Sequence, residues 1–353
     1  MNPQEHKLIY PLGDALPEDG HGLEVAPGVK WVRMPLPFAL DHINLWLLRD
    51  RFDGREGWTI VDAGICRDEV KTSWEAVFEN ELEGLPVLRV IVTHMHPDHI
   101  GLAHWLCQRW QAPLWMSMTD YMTAKLWSSH TTSGAGGEGA MQHFAHHGMT
   151  DPESLEKIKA RANYYVNLVP QVPESFYRLM NGDHVEVGSP PCAWEIIAGY
   201  GHAPEHLSLY CADKGVLIAG DMVLPRISTN VSVFNFEPMA NPLPLYLNSL
   251  DAYNKLPGDT LVLPSHGKPF VGLHERITQQ HNHHRERLKE VFDACDTPQT
   301  TMQIVPILFK RTLDLHQMTF AMGEAIAHLH ALYFEKKLKR TVDAGGVIRF
   351  QKS

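Results

Sequence analysis

The feature of this sequence that most constrains its fold is a histidine-rich loop, Thr93-His94-Met95-His96-Pro97-Asp98-His99, directly after the apolar stretch Val90-Ile91-Val92. The apolar stretch predicts a buried β-strand and so places the loop at a strand end. Imidazole nitrogens and carboxylate oxygens are ligands for zinc, manganese or iron, and ligands this close in sequence converge only if the chain turns around an ion. The loop therefore predicts a metal site. A polar loop that contains histidines by coincidence is the weaker interpretation, because residue types and spacing agree together.

Three later motifs each follow an apolar run with strand character. They are Gly201-His202-Ala203-Pro204-Glu205-His206, Ala219-Gly220-Asp221 and Leu263-Pro264-Ser265-His266-Gly267. An earlier motif, Ile60-Val61-Asp62-Ala63-Gly64, ends another such run. Strand ends belong to a rigid sheet, which can hold ligands in place. Taken in this order, the motifs resemble those of the metallo-β-lactamase superfamily, over about residues 25–275.

The resemblance implies a two-metal site that catalyses hydrolysis. It assigns His94, His96 and His202 to one metal and Asp98, His99 and His266 to a second, with Asp221 as the bridge. Two divalent transition-metal ions are implied, with zinc favoured and iron or manganese as alternatives. A hydroxide between the ions would attack the substrate, and Asp98 would be the catalytic residue that steers protons. Asp62 would be structural.

Two positions depart from the family pattern. Glu205 and Ser265 stand where many members have glycine, but neither change removes a ligand. His206 is interpreted as a structural histidine beside the ligands, because the two ligand sets are already filled.

The order of predicted elements indicates an α/β fold, and the resemblance implies an αββα metallo-β-lactamase sandwich. Predicted strands at 31–34 and 44–48 precede a helix at 68–82, and a helix at 101–110 follows the metal loop. Residues from about 117 to 182 interrupt this alternation with a glycine-rich run at 133–139 and a helix at 151–169 that starts at Pro152. We interpret this stretch as a helical cap insertion over the metal site, with a plain surface insertion as the alternative.

The chain becomes helical from residue 275. Helices are predicted at 275–294, at 298–313 after a Thr297 cap and at 315–338, followed by a hairpin around Asp343-Ala344-Gly345-Gly346. Helices followed by a hairpin look like a winged helix. We therefore expect a catalytic domain at 1–274, with the cap at about 117–182, and a winged-helix-like C-terminal domain at 275–353.

Composition predicts a soluble cytoplasmic enzyme with no membrane partner. The 353 residues are 44% hydrophobic and 20% charged, and no apolar run approaches the ~18 residues that span a bilayer. The first residues lack the basic start and apolar core of a secretory signal. The five cysteines are scattered without a CxxC pair, which predicts reduced thiols. The sequence leaves open whether the chain forms a homo-oligomer.

The sequence leaves two classes of substrate. One is a small molecule with a carboxylic ester, thioester or lactone, as for glyoxalase II and the lactone hydrolases, which share these ligands. The other is a phosphodiester or single-stranded RNA, because the winged-helix-tailed branch of the superfamily includes an endoribonuclease. Residues 275–353 carry a net charge of +3 and the remainder −13, and an acidic body repels a polyanion. We therefore favour the small-molecule class and do not expect a nucleic-acid partner.

Two further alternatives are disfavoured by the completeness of the ligand set. A persulfide dioxygenase with a single iron would not need Asp98, His99 and His266, and neither would a non-catalytic metal-binding protein. Aromatic residues of the cap favour an apolar acyl or aryl group in the substrate. These residues are Tyr121, Trp127, Phe144, Tyr164, Tyr165, Phe176 and Tyr177.

Overall fold

The structure is a computed structural model that describes residues 2–129 and 136–353. Its strands are β1 (Gly22–Ala26), β2 (Val29–Pro35), β3 (His42–Phe52), β4 (Arg55–Val61), β5 (Val87–Ile91), β6 (Leu114–Met116), β7 (Tyr177–Arg178), β8 (His184–Gly188), β9 (Pro191–Gly199), β10 (His206–Cys211), β11 (Val216–Gly220), β12 (Leu261–Pro264), β13 (Leu338–Val342) and β14 (Ile348–Lys352). Its α-helices are α1 (Asp68–Glu81), α2 (Pro97–Ile100), α3 (Ala103–Trp110), α4 (Met118–Trp127), α5 (Gly137–His146), α6 (Pro152–Lys159), α7 (Tyr164–Leu168), α8 (Pro242–Asp251), α9 (Leu273–Ala294), α10 (Thr301–Leu308) and α11 (Leu315–Phe334). Two 3₁₀ helices lie at Glu5–Lys7 and Ala252–Lys255.

Two mixed sheets face each other at the centre of the molecule. The first has the strand order β1-β2-β3-β4-β5-β6-β7, and the second has the order β12-β11-β10-β9-β8. Neighbours from β4 to β7 run parallel, as do β11 and β12, while the remaining pairs are antiparallel. Both faces of the central strands are buried, so their sequences read as nearly continuous apolar runs.

The alternation of side chains along each strand divides the core into layers. In β3, Trp46 and Leu48 point into the layer between the sheets, while Leu45 and Leu47 pack on the other face against α1 and α3. On the far side, the outer face of the second sheet packs against α8, α9 and α11. This arrangement of helices, sheet, sheet and helices confirms the predicted αββα sandwich.

A buried ion pair within the first sheet is hydrogen-bonded to the second sheet. Arg89 on β5 donates from Nη2 to Asp50 Oδ2 at 2.7 Å, and the same nitrogen donates to the carbonyl of Glu186 on β8 at 2.7 Å. Asp50 Oδ2 also accepts from Thr59 at 2.6 Å, and Asp50 Oδ1 from the backbone N–H of Gly188 at 3.2 Å. Both charges are paired and hydrogen-bonded, so the network can be buried without leaving an unpaired charge.

The cap is helical, as predicted, but its long helix is divided. The predicted helix at 151–169 consists of α6 and α7, with residues 160–163 between them. The start at Pro152 is confirmed, since Asp151 caps α6 by accepting the backbone N–H of Ser154 at 2.9 Å. Residues 133–135 of the predicted glycine-rich run lie outside the described residues, and α5 begins at Gly137.

The C-terminal elements occur in the predicted order, but two helices differ in their bounds. The helix predicted at 315–338 ends at Phe334, since β13 begins at Leu338. The predicted helix at 298–313 after a Thr297 cap is wrong at both ends, because α10 spans only Thr301–Leu308 and its N-cap is Thr300. Thr300 and Gln303 form a reciprocal capping box, whereas Thr297 has no glutamate or glutamine three residues later. Gln299 is also held in an isolated β-bridge with Phe350. The winged-helix interpretation and the domain boundary at 274 stay predictions.

No helix in the described part of the chain is long and apolar enough to cross a bilayer. All five cysteines are free thiols, as the sequence predicted.

Candidate metal centre

All the predicted ligands meet at one edge of the two sheets. The loop after β5 carries the first histidines, and α2 begins inside it at Pro97. The loop between β9 and β10 carries His202, Asp221 directly follows β11, and His266 follows β12 by two residues. The strands hold these loops in fixed positions, so every ligand is placed by the sheet and not by a flexible segment.

The first predicted ligand set is His94, His96 and His202. His94 Nε2 lies 2.8 Å from His96 Nδ1 and 3.2 Å from His202 Nε2. His202 Nε2 also lies 3.2 Å from Asp221 Oδ2. Metal bonds of about 2.1 Å at tetrahedral angles separate ligand atoms by roughly 3.4 Å. The spacing of these atoms therefore fits a single cation among them.

The second predicted set is Asp98, His99 and His266. His266 Nε2 lies 3.5 Å from Asp98 Oδ2, and His99 Nε2 lies 3.8 Å from the same oxygen. Both histidine nitrogens lie 3.5 Å from Asp221 Oδ1. Asp221 thus presents one oxygen to each set, which is the geometry required of a bridging carboxylate.

Hydrogen bonds behind the site fix which ring nitrogens carry lone pairs. His202 donates from Nδ1 to the carbonyl of Asn230 at 2.7 Å, and His266 donates from Nδ1 to the carbonyl of His42 at 2.8 Å. A carbonyl can only accept, so each Nδ1 carries the proton and each Nε2 directs a lone pair into the site. The two rings are therefore held as metal-ligand tautomers.

Asp62 performs the same task for His99. Its Oδ2 accepts from His99 Nδ1 at 2.7 Å and from the Thr93 hydroxyl at 2.9 Å. Because Thr93 donates to Asp62, its oxygen is left to accept from His94 Nδ1 at 3.0 Å. Asp62 thus supports ligands without lining the site, which agrees with its predicted structural role.

The electrostatics of the two sets also suit cations. Burial, reinforced by neighbouring histidines, holds the pKa of His94 well below its ordinary value, and burial lowers the pKa of His96 to about 3. Burial also opposes charge on His99, but Asp62, Asp98 and Asp221 outweigh it and raise the pKa of that ring well above its ordinary value. The first set therefore offers neutral imidazoles, and the second has carboxylates that attract positive charge.

Unpaired buried atoms complete the test of fit. Within the described residues, His99 Nε2 and Asp221 Oδ1 are buried without a hydrogen-bond partner. A buried polar atom without a partner is costly unless a cation or water satisfies it. Donor types, spacing and unpaired atoms together fit two divalent transition-metal ions. The identity of the ions as zinc, iron or manganese stays a prediction.

His206 lies behind the ligands, as expected of a structural histidine. Its Nε2 accepts the backbone N–H of Asp221 at 3.1 Å, so it positions the bridging carboxylate. Gly220 has a φ of +53°, and a Cβ there would approach His206 Nε2 to 2.2 Å. Only glycine therefore allows the chain to pass this close to His206.

Asp120 anchors two of the ligand loops and was not identified from the sequence. The side chain is fully buried at the start of α4, and it accepts from the backbone N–H of Met95 at 2.8 Å and of Glu205 at 2.6 Å. The bond to Glu205 uses only its backbone, which explains how the loop keeps its path with glutamate where many family members have glycine. No local pattern around Asp120 indicates this role, since both partners are distant in sequence.

A cavity of about 750 Å³ lies above the ligands, with His96, Asp98, His202, Asp221 and His266 in its lining. Four of the seven aromatic residues predicted to cover the substrate line it, namely Trp127, Phe144, Tyr164 and Tyr165. The other three pack elsewhere. Phe176 stacks on Tyr121 at 4.0 Å, and Tyr177 stacks on Trp115 at 4.7 Å.

The C-terminal segment contributes to this cavity, which sequence reasoning did not anticipate. His316 and Phe320, from the first turns of α11, line it together with Arg311 from the loop before that helix. Arg161, between α6 and α7, also lines the cavity. The amphipathic pattern of α11 predicts a buried face but not which cavity its end reaches.

Comparison with known proteins gives two matching family models. Residues 39–266 match the model of the metallo-beta-lactamase superfamily, and residues 288–353 match that of the metallo-beta-lactamase-like C-terminal domain. Among curated proteins, the chain is 22% identical over 316 residues to the probable metallo-hydrolase YqjP of Bacillus subtilis, and the match covers 87% of this chain and 92% of that protein.

Two solved structures are similar along nearly the whole chain. A beta-lactamase domain protein from Burkholderia ambifaria is 54% identical with a TM-score of 0.94, and the match covers 100% of both chains. The metallo-beta-lactamase family protein TTHA1429 from Thermus thermophilus is 26% identical with a TM-score of 0.76, covering 94% of this chain and 100% of that one. The arrangement of body and C-terminal segment therefore recurs in both.

Proposed function

Because this chain belongs to the metallo-beta-lactamase superfamily and is a metallo-hydrolase, we propose that it uses two metal ions to cleave a carboxylic ester, a thioester or a lactone. The observation that carries the proposal is the pair of ligand sets joined by Asp221 at the floor of an aromatic cavity. Two bound cations lower the pKa of a water held between them and polarise a carbonyl. Zinc is the proposed metal, since imidazole and carboxylate ligands suit it.

Asp98 is the proposed proton-handling residue. It lines the cavity, and His99 and His266 lower its pKa against the opposing effect of burial, which keeps it ionised at neutral pH. With Oδ2 directed at the histidines, its other oxygen remains to accept a proton from the attacking water and deliver it to the leaving group. The chain then supplies orientation through its fixed imidazoles and exclusion of bulk water through its aromatic walls.

The cavity favours a small molecule with an apolar part over RNA. Aromatic side chains such as Trp127 and Tyr165 form its walls, whereas a site for single-stranded RNA would need a long basic groove to neutralise successive phosphates. The net charge of −10 for the whole chain also disfavours binding of a polyanion such as RNA. We therefore place phosphodiester or RNA cleavage second.

Metal analysis combined with a substrate panel tests this proposal. We expect two metal equivalents per chain after metal-replete expression, Asp221→Ala to deplete both sites and His266→Ala to spare the first. The panel contains aryl esters, thioesters, lactones, a phosphodiester and single-stranded RNA, each with and without chelator. One equivalent or fewer would contradict the two-metal proposal. Chelator-sensitive RNA cleavage without ester, thioester or lactone hydrolysis would replace the substrate class.

A further inference from the structure

Two arginines that the proposed hydrolysis does not use line the same cavity as the metal ligands. Arg161 lies in the break between α6 and α7, and Arg311 lies in the loop before α11. Among the described residues, neither guanidinium forms an ion pair with a carboxylate. By contrast, Arg89 pairs with Asp50 at 2.7 Å.

Both arginines are held by neutral partners at the start of α11. Arg161 donates from Nη2 to His316 Nδ1 at 2.9 Å and lies over the ring of Tyr164 at 4.6 Å. Arg311 donates from Nη1 to Gln317 Oε1 at 2.8 Å. These contacts position the guanidinium groups without neutralising their charge, and they leave other N–H groups of each fork for a ligand.

Aromatic side chains lie next to these cations. His316 stacks on Phe38 at 5.1 Å and meets Phe320 edge-on at 5.0 Å. Asp314 lines the same cavity, but its carboxylate caps α11 by accepting the backbone N–H of Gln317 at 2.8 Å. Cations beside aromatic surface suit a ligand that has an apolar body and an anionic end, and a guanidinium fork binds carboxylate or phosphate oxygens in pairs.

We propose that Arg161 and Arg311 bind an anionic group, a carboxylate or a phosphate, at the end of the substrate remote from the bond that is cleaved. This inference rests on the proposed hydrolase activity and specifies its substrate as an anionic amphiphile. The acyl bond would lie at the metal ligands on the cavity floor, and the anion would lie at the wall built by the cap and α11. The C-terminal segment would then act in substrate selection.

Matched ester pairs test the proposal on the metal-loaded, full-length protein. The probes are mono-p-nitrophenyl suberate, its neutral methyl ester and the equivalent ester that ends in phosphate. We expect the wild type to prefer at least one anionic probe over the neutral one in kcat/KM. Arg161→Gln and Arg311→Gln should each reduce that preference by about tenfold or more, mainly through KM, since one charge-assisted hydrogen bond is worth about that factor. Comparison of the carboxylate-ended and the phosphate-ended probe identifies which anion is bound.

Lys310→Gln is the matched control, because Lys310 precedes Arg311, carries the same charge and is exposed. It should leave the preference unchanged. Equal turnover of charged and neutral probes by the wild type would overturn the proposal, and so would an effect of Lys310→Gln equal to that of Arg311→Gln. Arg161→Lys, which keeps the charge, separates loss of the cation from damage to the wall.

Calorimetric titration with suberate and with inorganic phosphate separates failure of this inference from failure of the hydrolase proposal. If no ester, thioester or lactone is cleaved, the proposed substrate class fails. Anion binding that is weakened by Arg161→Gln and Arg311→Gln, but not by Lys310→Gln, would still support the anion site. Hydrolysis of the neutral ester without any arginine-dependent preference or binding would refute the anion site alone.

Discussion

At the scale of single residues, the candidate centre depends on partners that hold its ligands through their backbone. Asn230 and His42 use backbone carbonyls to hold the Nδ1 protons of His202 and His266, so their own side-chain identities carry no sequence signal for this task. The ligands could be predicted because histidine and aspartate at strand ends form a readable pattern. Their carbonyl partners could not be predicted, since any residue supplies a carbonyl.

Asp98→Asn should lower turnover by about a hundredfold or more while changing KM much less. The amide keeps the shape of the carboxylate but cannot accept a proton, and general acid–base catalysis is worth about this much. Steady-state kinetics on metal-replete protein measures the effect, with metal content checked in parallel. Unchanged turnover at full metal content would remove Asp98 from its proposed role.

Asp62→Asn should weaken the second metal site by about tenfold to a hundredfold, because an amide nitrogen in place of Oδ2 cannot accept from His99 Nδ1. The backbone should tolerate the change, since Asp62 has a φ of +66° and asparagine adopts that conformation readily. Asp53→Asn is the control, as an exposed aspartate with a φ of +51°. Competition with a chromophoric chelator measures the metal affinity of each variant and of the wild type. Equal affinity in Asp62→Asn and wild type would contradict the proposed support of His99.

At the scale of elements, the sequence predicted strands and helices well and helix ends less well. The periodicity of α1 and α11 indicated their buried faces, and the apolar runs indicated the strands that end at the ligands. Both cavity arginines, however, lie where a predicted helix stops early. Residues 160–163 contain neither glycine nor proline, so nothing local signals that break. Tertiary packing produces the break. The backbone carbonyl oxygen of Arg161 lies so close to Gly136 that a Cβ at position 136 would come within 2.2 Å of that oxygen.

Helix α11 also carries a carboxyl whose ionisation should make stability depend on pH. Burial raises the pKa of Glu324 to about 7, against the opposing effects of Asn230 and Arg287. Between pH 4.5 and 7 the folded state therefore holds a proton that the unfolded chain has released, so this group makes the protein less stable as pH rises through that window. Glu324→Gln should thus raise Tm by a few degrees at pH 8, and the gain should shrink toward pH 5.

Thermal unfolding of Glu324→Gln and wild type across that pH range measures this effect. Glu335→Gln is the matched control, because Glu335 is the exposed C-cap of the same helix. Its effect on Tm should be small at every pH. A gain for Glu324→Gln that does not change with pH would show that Glu324 does not titrate in this window.

At the scale of the whole molecule, the C-terminal segment is part of the core and not an appendage. Ile326, Ala327 and Ala331 of α11 belong to the same buried cluster as Leu217 and Ala219 of β11. Asp221 directly follows that strand, so α11 shares its buried cluster with the element that presents the proposed bridging carboxylate. A second cluster joins α10 and α11 to the cap helices α5 and α6. Loss of this segment should therefore disturb the metal site.

Truncation after residue 274 should yield a chain that aggregates or fails to retain metal. It removes most of α9 and all of α11, and burial of each large apolar side chain is worth about 1.5–3 kcal/mol against a net stability of about 5–15 kcal/mol. A shorter truncation after Lys337 removes only the β13–β14 hairpin, whose Ile348 and Phe350 pack in the cluster shared with the cap and not against β11. That protein should be less stable but should keep both metals. Metal content and cooperative thermal unfolding compare the two. A soluble, cooperatively folded and metal-replete 1–274 fragment would show instead that the body folds independently and that the C-terminal segment serves only the substrate end of the cavity.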